Sequence, residues 1–282
     1  MNSRTWVNIG LFVFLAFAIF FFISRDNIDV SQRLSSLDSD AITSIHIPRE
    51  QNKDILFKKN ITDSVWYMTA PYQVKAHQFR INTLLGLTQT PVNKSYGTNA
   101  LTLSDYALSP PRARILFDTT EIAFGKTNPI NNKRYLLTEN KIFLINDLIY
   151  PLVSAQASGF IDLSLLPSNF KITNLQTPAT RIQLNKNGLW SALNENKLNA
   201  DQIQSLLQHW KSAQAFAVHK YMPGKNIGKI EIGSATKSII FEITDDDPWL
   251  ILALPETGIE YHLDKSLLNV LYGIIAPDAS DA

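Results

Sequence analysis

Residues 66 to 87 read WYMTAPYQVKAHQFRINTLLGL and residues 190 to 210 read WSALNENKLNADQIQSLLQHW. Twice, then, the chain places a Trp, a short polar run and an Ile-x-x-Leu-Leu stripe of helical spacing. The correspondence begins earlier: Ile42-Thr43-Ser44-Ile45 and Ile172-Thr173-Asn174-Leu175 stand 130 residues apart. The tryptophans are offset by 124, and Ile81, Leu84 and Leu85 precede Ile203, Leu206 and Leu207 by 122. A shrinking offset is what a duplication with small loop deletions leaves, so the sequence predicts one supersecondary unit built twice.

The rest of each copy follows the same plan. ARILFDTTEIAFG at 113 to 125 and GKIEIGSATKSIIFEI at 228 to 243 alternate apolar and polar residues around a turn, which predicts a β-hairpin in each. RYLLTENKIFLI at 134 to 145 and WLILALPETGIEYHL at 249 to 263 predict a second pair of strands. Helix-like segments close both copies, from Asp147 and from Asp264, each Asp being suited to capping and Pro151 to bending or delaying the first. The expected fold is α+β: two tandem copies of a β-β-α-β-β-β-β-α unit, with largely antiparallel sheets covered by helices on one face. Each Trp is expected to close a strand and pack under the following helix, whose Ile and Leu stripe is buried.

Ahead of both copies, Val7 to Ile23 carries one polar side chain, Asn8, and no charge. A run of 17 residues is the short end of what spans a bilayer as a helix. A core helix would show a polar stripe, which Phe12 to Ile23 lacks. A cleaved signal, the main rival, would carry small residues at its end, whereas here Ser24-Arg25-Asp26-Asn27 follows and Ala16-Phe17-Ala18 lies inside the run. The expectation is an N-terminal transmembrane helix with the N-terminus cytoplasmic, favoured by Arg4 and the terminal amine, and the remainder periplasmic at a bacterial inner membrane. The resulting organisation is an anchor at 1–23, a Ser- and Asp-rich tether at 24–40, repeats at 41–166 and 167–276, and a tail at 277–282.

Composition narrows the chemistry. The absence of Cys excludes disulfides, thiolate metal sites, a cysteine nucleophile and a lipid-modified N-terminal Cys. Setting aside residues 1–23 removes Arg4 and no acid, which leaves 25 basic and 25 acidic residues. A neutral ectodomain of that kind argues against nucleic acid or an anionic membrane surface as its partner. The histidines, His46, His77, His209, His219 and His262, show no metal-ligand spacing. Gly125-Lys126-Thr127 resembles a phosphate loop, but position 120 is Thr and Asn128-Pro129 blocks the helix such a loop feeds, so a turn between strands is expected. Asp245-Asp246-Asp247 before Pro248 lacks EF-hand spacing and predicts a solvated turn. No Gly-x-Ser-x-Gly elbow occurs. These readings predict a non-enzymatic protein with no cofactor.

Two sets of residues are candidates for binding. Pro110-Pro111 imposes an extended lead-in, after which Arg112 and Arg114 fall on one strand face, as ordinary exposed residues or as an electropositive docking stripe. Trp66 and Trp190 are core residues or, alternatively, line a ligand cleft between copies, for which Tyr106 is a further candidate.

YALSPPRARILF, IAFGKTNPINNKRYLL and FIDLSLLP, in that order behind an N-terminal anchor and a Trp-helix pair, resemble the domain of unknown function 4340 family of bacterial envelope proteins. The resemblance runs from about Ile42 onward and departs at Tyr106-Ala107-Leu108, where an aromatic-Gly-Leu is expected. It implies an auxiliary membrane-anchored part of ABC-type transport systems similar to gliding-motility exporters, with ABC-type transporter subunits as partners and no established enzymatic activity. A periplasmic module for a glycan or small solute is the alternative.

Overall fold

The computed structural model describes residues 12–15, 17, 19, 32–92, 94–193 and 198–274. Strands β1 (Ser44–Ile47), β2 (Ile55–Lys59), β3 (Trp66–Ala70) and β4 (Val74–Lys75) precede helix α1 (Gln78–Gly86). After it come β5 (Ser95–Gly97), β6 (Ala113–Phe117), β7 (Thr120–Thr127), β8 (Lys133–Thr138), β9 (Lys141–Asn146) and the single turn α2 (Tyr150–Val153). These strands form one sheet in the order β4-β3-β2-β1-β6-β7-β8-β9-β5.

A second sheet is built from β10 (Asn174–Gln176), β11 (Arg181–Leu184), β12 (Trp190–Ala192), β13 (Ala217–Lys220), β14 (Gly228–Gly233), β15 (Ser238–Asp245), β16 (Trp249–Leu254) and β17 (Ile259–Asp264). Its order is β12-β11-β10-β14-β15-β16-β17-β13, with α3 (Ala200–Ser212) between β12 and β13 in the chain and α4 (Leu267–Tyr272) at the end. In both sheets the first strand after the helix pairs at the far edge, against the last strand, and those pairings are antiparallel.

Local sequence explains the hairpins. Thr138 pairs with Lys141 across Glu139-Asn140, which both take positive φ, 49° and 58°, as a two-residue turn matched to strand twist requires. Side chains alternate between buried and solvated positions along β8 and β17, so each strand contributes one face to a core. The stripes on the helices are buried as expected: Ile81, Leu84 and Leu85 on α1, and Ile203, Leu206 and Leu207 on α3.

By its contacts the chain divides into two compact units, one built on Thr83–Val153 with the described residues before Thr43, the other on Thr43–Asn82 with the described residues after Val153. In the first, Phe124 meets Tyr150 at 6.0 Å and the Arg134 guanidinium lies 3.7 Å from the Tyr150 ring centre. In the second, Phe57 meets Phe160 edge-on at 5.3 Å and Trp210 stacks on Phe241 at 6.2 Å. The expected repeat boundary at 166/167 lies inside this second unit.

Several local expectations change. Trp66 and Trp190 open β3 and β12 rather than closing a strand. Three or four strands precede each helix, and the short edge strands β5 and β13 follow it, because their three or four residues carry too little alternation to register as strands in sequence. Asp147 does not cap a helix: its carboxylate pairs with Arg134 at 2.7 Å, and α2 is only the turn containing Pro151. Gly125-Lys126-Thr127 is the end of β7 rather than a turn, which falls at 128–132. A Cβ on Gly125 would run into the Tyr106 carbonyl oxygen, so that position needs glycine for close approach.

Residues 32–38, expected within the tether, are built into the first unit. Leu34 and Ser35 donate to the Thr90 and Thr88 carbonyls at 2.9 and 3.2 Å, and Leu34 is buried. The apolar run expected to span a bilayer lies mostly outside the described residues. Of it, Phe12–Leu15, Phe17 and Ile19 are helical, with exposed side chains. Among the described residues no helix is long and apolar enough to cross a membrane.

Candidate binding cleft

Within the second unit, β3 and β4, the 162–169 segment, β15 and the 254–257 turn enclose a cleft of about 730 Å³. The size suits a small ligand. Its floor is apolar, from Leu165, Leu166, Ile239 and Leu254, and its polar groups converge from elements far apart in sequence.

At the centre of those polar groups, Lys75 Nζ meets Asp162 Oδ2 at 2.7 Å. The backbone reinforces the pair, since Asp162 N–H donates to the Lys75 carbonyl at 3.0 Å and Asp162 Oδ1 accepts the Ser164 N–H at 2.9 Å. Burial pushes the Asp162 carboxyl up, but the Lys75 and Ser164 hydrogen bonds outweigh it and hold the group below the usual carboxylate value. Tyr261, also in the wall, responds the other way: burial, then the Asp162 charge, raise its phenol. The cleft therefore presents the Lys75–Asp162 ion pair beside a phenol whose ionisation burial disfavours. Glu242 in the same wall accepts a hydrogen bond from the Tyr221 hydroxyl at 3.3 Å.

That set of groups suits recognition of a hydroxyl-rich or zwitterionic molecule, with an apolar floor for its carbon skeleton. No histidine lines the cleft. No local pattern in the chain points to it, because Lys75 and Asp162 are 87 positions apart and only the folded chain brings them together.

None of the five residues singled out in the sequence lines this cleft. Trp66 is buried, and its backbone N–H and carbonyl both bond the Gln78 side chain at 3.0 Å. Trp190 is half-buried on the edge strand β12. Tyr106 is half-buried against Tyr135 at 4.7 Å, with Lys126 5.8 Å from its ring centre. Arg112 and Arg114 are exposed, at the start of β6.

Two of the histidines come together in a place that spacing did not reveal. On paired strands β13 and β17, the His219 and His262 rings meet at 4.5 Å, and His262 Nε2 lies 2.9 Å from Glu260 Oε1. Among the described residues no three His, Asp or Glu side chains form a group able to hold a metal ion. Asp245 is the end of β15 and its carboxylate accepts the Asp246 N–H at 2.8 Å, while Asp247 pairs with Lys265 at 3.0 Å, so the acidic stretch is an exposed turn.

The sequence model of one family, described as a domain of unknown function (DUF4340), matches residues 66–226. The match covers more than half of the 282 residues and its description names no activity or partner. No curated protein and no solved structure matches the chain.

Proposed function

We propose that this chain, which belongs to the DUF4340 family, is a membrane-anchored accessory protein of the bacterial envelope, without catalytic activity of its own. In this reading the N-terminus is cytoplasmic, the folded part is periplasmic, and that part docks onto an ABC-type transport system or another envelope assembly. The observation that carries the anchor is the run at Val7 to Ile23, where the described residues are helical and present Phe, Val, Leu and Ile side chains outward. Exposed large apolar side chains along a helix need an apolar environment to face.

The folded part is, in the same reading, two copies of one unit. What supports this is the strand order: 3-2-1-6-7-8-9-5 in the first sheet, beyond the short β4, parallels 12-11-10-14-15-16-17-13 in the second. Affinity purification of the full-length protein from native membranes in mild detergent, with cross-linking and mass spectrometry, tests the docking. A permease or ATPase subunit in the eluate supports it; a free monomer sinks it.

The second-unit cleft favours a second reading, a periplasmic module for a glycan or small solute. Binding of such a ligand that is lost in Lys75→Ala and Asp162→Asn variants would support it, and a screen without binders would remove it.

A further inference from the structure

The first unit has a second cleft of about 730 Å³, which lies at one end of its strands. The end of α1, Thr90 and Pro91, the start of β5, Asn131 of the 128–132 turn, the start of β8 and the end of β9 frame it. Its two charged residues are Lys94 and Lys133, and no carboxylate lines it. Asp147, next to its lining residue Leu148, is bonded to Arg134 at 2.7 Å. Beside these cations stand large apolar side chains with nothing over them: Leu148 is 79% exposed, and Ile130, on the turn, 91%. Tyr96 on β5 completes the rim, partly exposed.

We infer that this end of the first unit lies on an anionic phospholipid surface, Lys94 and Lys133 against headgroup phosphates, Ile130 and Leu148 dipping into the interface. The inference rests on the anchor reading above and adds which face meets the bilayer. Basic residues flanked by exposed aliphatic side chains match what such a surface offers, negative charge over an apolar layer.

Chain length points to the same face. Eight residues separate Ile23 from Gln32, a reach of about 30 Å at full extension. Gln32 is tied to this end of the unit, since its carbonyl accepts the Val92 N–H at 2.9 Å, two positions before Lys94, and Arg33 bridges to Pro91, a lining residue. A short leash fixed there holds this cleft near the membrane. The neutral charge of the chain beyond residue 23 had argued against an anionic surface as partner; the placement of Lys94 and Lys133 in one cleft whose lining holds no carboxylate overrides that average.

The lack of Cys gives a clean test on the full-length protein in nanodiscs. Leu148→Cys and Thr119→Cys each carry one environment-sensitive fluorophore, and lipids spin-labelled near the headgroup act as quencher. Thr119 sits in the turn at the opposite end of β7, about 26 Å away along eight strand residues. Quenching at Leu148 should exceed that at Thr119 about threefold with phosphatidylglycerol present, falling towards the Thr119 level without it or in a Lys94→Glu/Lys133→Glu variant of unchanged circular dichroism. Equal quenching at the two positions overturns the inference while leaving the anchor intact, and failure to stay with the nanodisc overturns the anchor and the inference together. Quenching indifferent to phosphatidylglycerol, or a Leu148 label shielded only in native membranes, also overturns it, the latter assigning the face to a protein.

Discussion

Helices α1 and α3 carry the same buried Ile-x-x-Leu-Leu stripe and are held in place by different means. In α3 the ends are satisfied locally. Asn199 accepts the Gln202 N–H at 2.9 Å while the Gln202 side chain accepts the Asn199 N–H at 2.8 Å, a capping box, and Asp201 sits in the first turn with His209 and Lys211 in the last. At the matched positions of α1, 122 residues earlier, stand His77 and Arg80, neither of them a capping type, and the helix has no acid in its first turn and no base in its last. Its start is held instead by distant partners. The His77 N–H donates to the Phe160 carbonyl at 2.7 Å, Arg80 donates to the Gly159 carbonyl, and Gln78 bonds the backbone of Trp66 and Ala76. One stripe thus supports two strategies: a helix that specifies its own ends, and one whose ends are specified by the fold around it.

The largest effect should come where α3 adds something α1 lacks. Trp210 is fully buried and its indole N–H donates to the Leu271 carbonyl at 2.9 Å, whereas the matched position, 122 residues earlier and just after α1, is Thr88, whose hydroxyl donates to the Leu85 carbonyl and accepts from the Gln89 side chain, both close in sequence. Trp210→Ala should cost about 3–5 kcal/mol of unfolding free energy, read by urea denaturation, from lost contacts and the cavity left behind. Trp210→Phe should cost less and isolate the hydrogen bond. If Trp210→Ala proves no worse than Thr88→Ala, the comparison breaks, because the extra residue would not anchor α3.

Gln78→Ala comes next. It strips one side chain that bonds the Trp66 N–H, the Trp66 carbonyl and the Ala76 carbonyl, and should cost about 1–3 kcal/mol in the same measurement. Asn199→Ala removes only a cap and should cost about 1 kcal/mol. The two also differ in isolation. A peptide of residues 198–213 should lose helix by circular dichroism on Asn199→Ala, whereas one of residues 76–90 should be indifferent to Gln78→Ala, since the partners of Gln78 at Trp66 are absent from it. Helix loss in both would erase the distinction.

This contrast also explains what the sequence made legible. Buried stripes, hairpins and the position of α3 follow from periodicity and from Asn199, all signals within a dozen residues. The start of α1, the short edge strands β5 and β13, and the role of Asp147 depend on partners brought from elsewhere in the chain, and no local pattern encodes them. The candidate cleft belongs to the second category. Its ion pair joins residues on either side of the whole β5–β9 region, while the aromatic residues that attracted attention, Trp66 and Tyr106, are engaged in packing and backbone hydrogen bonds.

The smallest expected effect separates the two strategies by pH. The Lys75–Asp162 pair extends the contacts that hold the start of α1, since the Asp162 N–H bonds the Lys75 carbonyl two residues before His77 bonds Phe160. Asp162 is held below its ordinary value in the folded protein, so its contribution to stability is present above the unfolded value, about 3.9, and is lost as pH falls through the folded one. Asp162→Asn should therefore lower the urea midpoint at neutral pH, and its deficit relative to the unsubstituted protein should shrink steadily below about pH 4. The deficit of Asn199→Ala should stay level over the same range, because the capping box is made of amides that do not titrate there. A deficit for Asp162→Asn that is flat with pH would mean the carboxylate contributes no charge-dependent stability, and would return the start of α1 to its backbone contacts alone.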